Sequence, residues 1–405
     1  MKKQWWGLVV LVLLASVILR HSLLFLMGLL LALVGGVSYF WTRTCLVGVT
    51  YRRRLGTDRL FPGEETELAL EVVNAKPLPL AWLRAEDEMP SALELVGGRE
   101  HYSHLPGRRL LINLLSLRWY ERVTRHYQLR GLQRGAWALG PLRLESGDIF
   151  GLGSKCIEQL ETQLVLVYPR LVPLTALGLP ARHPFGDWQT PRRLVEDPLR
   201  MMGAREYRPG DSIRHIHWKA SARQQGLQTK IFDPSASRPL ALFLNINTFA
   251  FIYEGLDRDL QEFAITTAAS IARYAWEQGQ PVGLYVNAVA WPGGQRIRIA
   301  PGQHPEQLLQ ILEALARVVE HGRWPLEAVL QVESGHLPYG ATIVAITPQI
   351  SAGLCTMLAE LQHREYAVSL VALGDAHLDA PLPGVQYYHI GGHEVWDDLK
   401  ALRLA

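Results

Sequence analysis

Hydrophobic and polar positions divide the chain into three regimes. It opens with two uncharged apolar runs, residues 5–19 and 22–41, separated only by Arg20 and His21. The second has about the ~20 residues that a helix rising 1.5 Å per residue needs to cross a bilayer. The first has the length of a signal-peptide core behind Lys2 and Lys3. However, no small-x-small cleavage site precedes Arg20, and another apolar segment begins at once. The pattern predicts a transmembrane helical hairpin over residues 1–45. Lys2 and Lys3 flank it on one side and Arg43, Arg52, Arg53 and Arg54 on the other. The positive-inside rule then predicts an inner-membrane protein with both flanks and all later domains in the cytoplasm. Trp5, Trp6, Tyr39 and Trp41 fall where interfacial aromatic belts lie.

Over residues 46–168 the period changes to two. Thr66, Leu68, Leu70 and Val72 alternate with Glu65, Glu67, Ala69 and Glu71, as in a half-buried strand. Phe61, Pro62 and Gly63 before it, and residues 74–79 after it, carry turn chemistry. Leu142 and Leu144 alternate with Arg143 and Glu145 ahead of Ser146, Gly147 and Asp148. Short strands bounded by Pro, Gly and Asn predict a β-sandwich domain, immunoglobulin-like in class. A connector spans 169–239, with Asp187, Glu196 and Asp197 as solvated carboxylates in its Pro-rich part.

From 240 to 405 apolar runs alternate with helical spacing. Strands are expected at 240–244, 282–286, 342–347, 367–373 and 387–390. Leu260, Ala264, Thr267, Ala268, Ile271 and Ala275 mark one helix, closed by Gly279 at C′. Leu308, Ile311, Leu315 and Val319 mark a second. Leu354, Leu358 and Leu361 mark a third, capped by Ser351, and a last helix covers 395–402. Residues 292–294 read as a hairpin turn. Such alternation predicts a C-terminal α/β domain with an open, mostly parallel sheet and helices on both faces.

Composition adds boundaries. The chain has 405 residues, 48% hydrophobic, with 41 basic and 38 acidic residues and a net charge of +3. That balance argues against a nucleic-acid binder. Cys45, Cys156 and Cys355 are too scattered for a disulfide framework or a metal site and suit a reducing compartment. Phosphate-loop, nucleophile-elbow and His-Glu-x-x-His motifs are all missing.

The stretch from Gly203 to Arg223 has the densest chemistry. Pro209 and Gly210 make a turn, and Asp211 is placed to cap a helix starting at Ser212. On that helix Ile213, Ile216 and Ala220 would share one stripe, and Arg214, Trp218 and Ser221 its neighbour. His215 and His217, two apart, would then diverge and share no ligand. Between Arg205 and Lys230 six basic residues face two acidic ones. Arg205, Tyr207, Gly210, Asp211, Arg214, Ile216, Trp218, Ser221, Ala222 and Arg223 resemble the signature of the domain-of-unknown-function family number fifty-eight. The turn at Phe61 to Glu64 and the stretch from Gly131 to Gly151 are similar to it as well. The resemblance implies a von Willebrand factor A-like domain at the C-terminal end. It also implies a MoxR-type AAA+ ATPase partner, and in some cases a transglutaminase-like membrane protein.

A working metal site in such a domain needs Asp-x-Ser-x-Ser after the first strand. Here Asn245, Asn247 and Phe249 stand in those places, and Pro348-Gln349 stands where Thr-Asp would. Neutral amides supply too little charge to dehydrate Mg²⁺. No metal, no other cofactor and no catalytic residue is therefore expected. Arg205, Tyr207, Gly210, Asp211, Arg214, Trp218, Ser221 and Arg223 are expected to be structural or partner-binding, with Asp211 and the arginines in a polar network. The function expected is a non-enzymatic, membrane-tethered adaptor or assembly factor for a MoxR-type ATPase or its client. The alternative is an enzyme, or a phosphate- or nucleic-acid-binding module, built on residues 205–223.

Overall fold

The fold was obtained as a computed structural model and describes residues 3–98, 100–180, 201–208, 215–224, 226–232, 238–338, 340–378, 380–391 and 395–397. The chain forms two compact units, Met1–Tyr168 and Pro169–Ala405.

The first unit begins with α1 (Lys3–Ile18) and α2 (Ser22–Thr44), joined by a turn in which Arg20 takes a positive φ of 52°. The helices pack closely enough that a Cβ at Gly28 would sit 2.6 Å from Leu13 Cδ2. Among the described residues α2 is the one helix long and apolar enough to cross a membrane. At 16 residues α1 reaches about 24 Å, short of a ~30 Å hydrocarbon core.

Twelve strands follow: β1 (Val49–Leu55), β2 (Arg59–Leu60), β3 (Glu65–Asn74), β4 (Leu80–Pro90), β5 (Leu93–Val96), β6 (Glu100–Tyr102), β7 (Arg108–Leu117), β8 (Arg122–Gly131), β9 (Gly135–Leu139), β10 (Leu142–Gly147), β11 (Ser154–Gln159) and β12 (Gln163–Val167). One sheet has the order β1-β3-β8-β5, a second β11-β10-β4-β7-β6, and a small third β2-β12-β9. The alternation of β3 turns Leu68, Leu70 and Val72 inward. There they join Leu83 and Met89 of β4, Leu111 and Leu115 of β7, and Leu144 of β10 in one core. One ion pair crosses that core. Asp87 of β4, 2% exposed, receives Arg53 Nε and Nη2 of β1 at 2.7 Å each, and the Tyr51 hydroxyl at 3.1 Å. Burial, with Asp87 beside it, pushes the Tyr51 phenol well above its ordinary value.

The C-terminal third of α2 is part of this unit. Cys45, directly after the helix, is fully buried in the same core, and burial pushes its thiol up. Ser38 is also fully buried, and Thr42 Oγ1 donates to Gly153 O at 3.4 Å. In the β10–β11 turn Asp148 is 1% exposed and accepts from Gly153 N at 2.9 Å and Leu152 N at 3.3 Å. Burial alone would raise the Asp148 carboxyl. The Ser38 hydroxyl and these backbone N–H groups outweigh it and hold the carboxyl below its ordinary range.

The second unit contains β13 (Met201–Glu206), α3 (Trp218–Gln224), β14 (Gln228–Phe232), β15 (Leu240–Leu244), α4 (Arg258–Glu277), β16 (Val282–Val289), β17 (Arg296–Gly302), α5 (Gln307–Ala316), α6 (Leu326–Ser334), β18 (Thr342–Thr347), α7 (Ala352–His363), β19 (Ala367–Leu373) and β20 (Val385–Ile390). The main sheet is mixed, ordered β17-β16-β15-β18-β19-β20, with β17 antiparallel and the rest parallel. Its five-residue central strand β15 is buried throughout, as expected of a strand covered on both faces. Ala241 and Phe243 pack with α6 and α7, while α4 covers the other face. Asp257 caps α4 by accepting from Leu260 N at 3.1 Å, and Gly279, with φ 72°, ends it. Ser351 caps α7 through Leu354 N at 3.0 Å. Strand β17 and helix α6 had no counterpart in the expected pattern. Helix α5 stops at Ala316, so Val319 lies beyond it. Of the last expected helix only 395–397 are described, and they are helical.

Two outcomes test the first unit. Arg53→Ala strands a buried carboxylate and is expected to lower the unfolding free energy by about 3–5 kcal/mol, measured by denaturant titration in detergent. A loss below about 1 kcal/mol would mean that Asp87 is solvated in the variant. For Asp148 the folded value is depressed, so its contribution is present above the unfolded value and lost as pH falls through the folded one. The gap in Tm between the native chain and Asp148→Asn should therefore shrink as the pH drops below about 4. A gap that widened would refute this sign.

Candidate functional site

Strands β15, β16 and β18 deliver their carboxyl ends to one spot, the usual ligand position in a sheet of this kind. Asn245 follows β15 and is 4% exposed. Its Nδ2 donates to Thr347 Oγ1 at 3.0 Å, and its Oδ1 accepts from Asn287 Nδ2 at 2.7 Å and Asn247 N at 3.1 Å. Asn287, on β16 and fully buried, accepts from Ile246 N at 3.0 Å and donates also to Trp324 O at 3.1 Å. Asn247 Oδ1 takes the N–H of Gly322 at 2.8 Å. Gly322 has to be glycine, since a Cβ there would lie 2.5 Å from Asn287 Nδ2. Gln261 of α4 closes the floor, donating to Ile246 O at 3.3 Å and Glu320 O at 2.7 Å.

Chemically this is a neutral, mutually satisfied amide cluster. Asn245 and Asn247 meet there, as their spacing after β15 requires, whereas Phe249 points away, 42% exposed. Pro348 and Gln349 are not where the second anchor sits. Thr347, the last residue of β18, supplies the hydroxyl, and it donates to Gln349 O. Asn287, Thr347, Gln261 and Gly322 had escaped the motif reading. A lone amide inside the apolar run of β16 was the available signal. Among the described residues no group of three or more His, Cys, Asp or Glu is placed to hold a metal ion.

Above this floor runs the β15–α4 loop. Thr248 Oγ1 accepts from Asp257 N at 3.0 Å and Glu254 Oε2 from Phe251 N at 3.2 Å, fixing both ends of the loop. Between them Phe251 and Tyr253 stack, with ring centroids 5.2 Å apart and planes 9° from parallel. They are 55% and 82% exposed. The remains of the metal motif, ending at Phe249, thus continue into Phe251 and Tyr253, and the loop presents three aromatic side chains at the rim.

The signature segment forms a separate small assembly. Strand β13 pairs antiparallel with β14, Arg205 opposite Thr229. Helix α3 begins at Trp218, while Ser212 and Ile213, where the helix was expected to start, lie outside the described residues. Ile216, expected on a helical stripe, instead bridges Thr229 in β geometry, and both are buried. His217 is the cap: its Nδ1 accepts from Ala220 N at 3.0 Å and its N–H donates to Gln228 O at 2.7 Å. The two histidines are therefore separated by a β-bridge, not by a helical turn. Ser221 Oγ donates to His217 O at 3.1 Å and accepts from Gln228 N at 2.9 Å, fastening α3 to β14. Tyr207 N donates to Leu227 O, and Arg205 Nη1 to Glu206 O. Trp218 is 67% exposed, and Lys219, Ala222 and Arg223 are exposed as well. Gly210, Asp211 and Arg214 lie outside the described residues, as do Asp187, Glu196 and Asp197.

Residues 203–388 match a family model described as "Protein of unknown function DUF58". The match thus takes in most of β13, the α3–β14 assembly and nearly all of the mixed sheet. An uncharacterised protein, YeaD of Bacillus subtilis (strain 168), is 24% identical over 306 residues, which cover 70% of each chain. Among solved structures, the CARDB domain of a Pyrococcus furiosus protein is 13% identical with a TM-score of 0.20, covering 29% of this chain and 91% of that one. A non-cellulosomal cohesin from Archaeoglobus fulgidus is 14% identical with a TM-score of 0.21, covering 30% and 91%.

The amide cluster makes a test of its own. Asn245→Asp removes the donor to Thr347 and buries a carboxylate, and is expected to cost about 1–3 kcal/mol at neutral pH. The introduced acid would have a raised folded-state pKa. The variant should therefore approach the native stability at low pH and lose it as pH rises through that value. Thermal unfolding across a pH series reads this, and a penalty independent of pH would contradict it.

Proposed function

We propose that the chain is a non-enzymatic, membrane-tethered adaptor that holds a MoxR-type AAA+ ATPase, or that ATPase's client, at the membrane surface. In this reading α1 and α2 both cross the inner membrane as a hairpin, and both soluble parts lie in the cytoplasm. The sandwich is immunoglobulin-like and the mixed-sheet domain is von Willebrand A-like. Basic residues on both flanks of the hairpin and the three lone cysteines support that placement.

The observation that carries the proposal is the rim of the mixed sheet. Its polar floor spends its hydrogen bonds on itself, while Phe249, Phe251 and Tyr253 stand exposed above it on a loop pinned at both ends. Exposed aromatics on a rigid support are the composition of protein-binding hot spots. A transglutaminase-like membrane protein is a second candidate partner by the same family resemblance.

Full-length protein in detergent, mixed with the MoxR-type ATPase of the same organism, should retain it on an affinity column in at least one nucleotide state. The double variant Phe251→Ser/Tyr253→Ser should weaken binding by about tenfold or more, roughly 1.4 kcal/mol. No binding with or without ATP, or binding indifferent to the two aromatics, would sink the proposal.

A further inference from the structure

The end of the β unit nearest α2 has an unusual surface. Strand register fixes which loops gather there. Val49 of β1 opposes Asn74 of β3, Val73 opposes Arg122 of β8, Leu80 of β4 opposes Leu117 of β7, and Ser146 of β10 opposes Leu83. The α2–β1 turn, the β3–β4 loop, the β7–β8 turn and the β10–β11 turn therefore share the end at which α2 enters.

Each of these except the β3–β4 loop presents large apolar side chains to solvent: Val47 at 58% exposure, Trp119 and Tyr120 at 65% and 68%, Ile149 and Phe150 at 60% and 50%. Their backbones are held, so the exposure is built in. Asn74 Nδ2 donates to Arg118 O at 2.8 Å, and Tyr120 N to Lys76 O at 3.2 Å. Asp148, buried beneath its own turn, lifts Ile149 and Phe150 outward. Basic side chains border the patch. Lys76 Nζ reaches Cys45 O at 2.5 Å and Lys155 Nζ reaches Arg43 O at 3.5 Å, while Arg43 and Arg118 are exposed.

We infer that this end of the β unit is seated in the bilayer interface, with Trp119, Tyr120, Ile149 and Phe150 among the lipid headgroups and the basic residues against anionic phosphates. Trp and Tyr favour that depth, and a basic rim adds attraction to anionic lipid. The loops at the opposite end carry isolated leucines, Leu105, Leu132 and Leu160, and, among the described residues, one large exposed aromatic, Tyr102 at the end of β6, without the cluster of aromatic and aliphatic side chains. The inference rests on α2 spanning the membrane, but it goes further: it assigns the first soluble unit a fixed seat on the surface in place of a free tether.

The test uses full-length protein carrying Cys156→Ser and Cys355→Ser, with the buried Cys45 left in place, in nanodiscs of phosphatidylcholine and phosphatidylglycerol. A polarity-sensitive fluorophore is attached in turn through Trp119→Cys, Phe150→Cys, Leu105→Cys and Leu30→Cys. Labels at 119 and 150 should shift to the blue and be quenched several-fold more strongly by headgroup-level spin-labelled lipid than the label at 105. The label at 30, within α2, should be quenched by deep acyl-chain spin labels. If 30 is embedded while 119 and 150 match 105, the seat is refuted and the anchor stands. If 30 itself reports water, the anchor fails and the seat falls with it.

Discussion

A polar group removed from water must find its partner inside the protein, and three strands of the mixed sheet end on side chains that meet this demand without any charge. An asparagine amide donates and accepts, so Asn245 can receive Asn287 and serve Thr347 at once. A carboxylate in its place could only accept, and would need a cation or solvent to balance it. The choice of amide over acid closes the floor of the sheet, leaves Gly322 free to pack against Asn287, and lets α4 start over it with Gln261 as a lid. With the floor closed, what the rim can offer a ligand moves to the loop above. There the aromatic rings are the features that differ from the surrounding surface.

The β unit answers the same demand for charged groups in three ways. Asp87 takes its cation from the opposite sheet, so Arg53 and Tyr51 fasten β1 to β4 across the core. Glu71, 6% exposed on β3, is held between Arg54 of β1 and Arg122 of β8, which reinforces one sheet without crossing to the other. Asp148 has no partner cation among the described residues and draws on the Ser38 hydroxyl of α2 and the N–H groups of its own turn. That turn is therefore shaped by its own backbone and by α2 together, with Thr42 bonded to Gly153 O in the turn and Cys45 to Ser146 O at its edge.

Much of the architecture was legible because burial on both faces leaves a plain trace. The strands at Leu240–Leu244, Thr342–Thr347 and Ala367–Leu373 read as continuous apolar runs, and Gly279 and Ser351 mark helix ends by chemistry that seldom has another use. Strand β17 was harder, since its alternation of Arg296 and Arg298 with Ile297 and Ile299 follows directly on a Pro-Gly-Gly turn and ends in Pro301 and Gly302. The helical stripe expected to run from Ile216 to Ala220 is interrupted for a tertiary reason. Ile216 has helical spacing to Ala220, yet Thr229 claims it for a β-bridge, a partner that no local window contains. The site was legible only in part. Asn245 and Asn247 stood in a recognisable frame, while Asn287 and Gly322 enter through contacts 42 and 75 residues away from their partners.

The same reasoning bears on the enzyme alternative for the signature segment. His217 and Ser221 would suit a base and a nucleophile if the serine proton pointed at the imidazole. In the structure the Ser221 hydroxyl donates to the backbone oxygen of His217 and accepts from Gln228 N. The imidazole Nδ1 is meanwhile occupied as the acceptor for Ala220 N. Each group is committed to holding α3 against β14, and a serine so bonded has no path for its proton to the ring without undoing the helix start. A cap and a staple account for why a histidine and a serine stand four residues apart here. Trp218, Lys219 and Arg223 of the same short helix are exposed and take no part in that fastening.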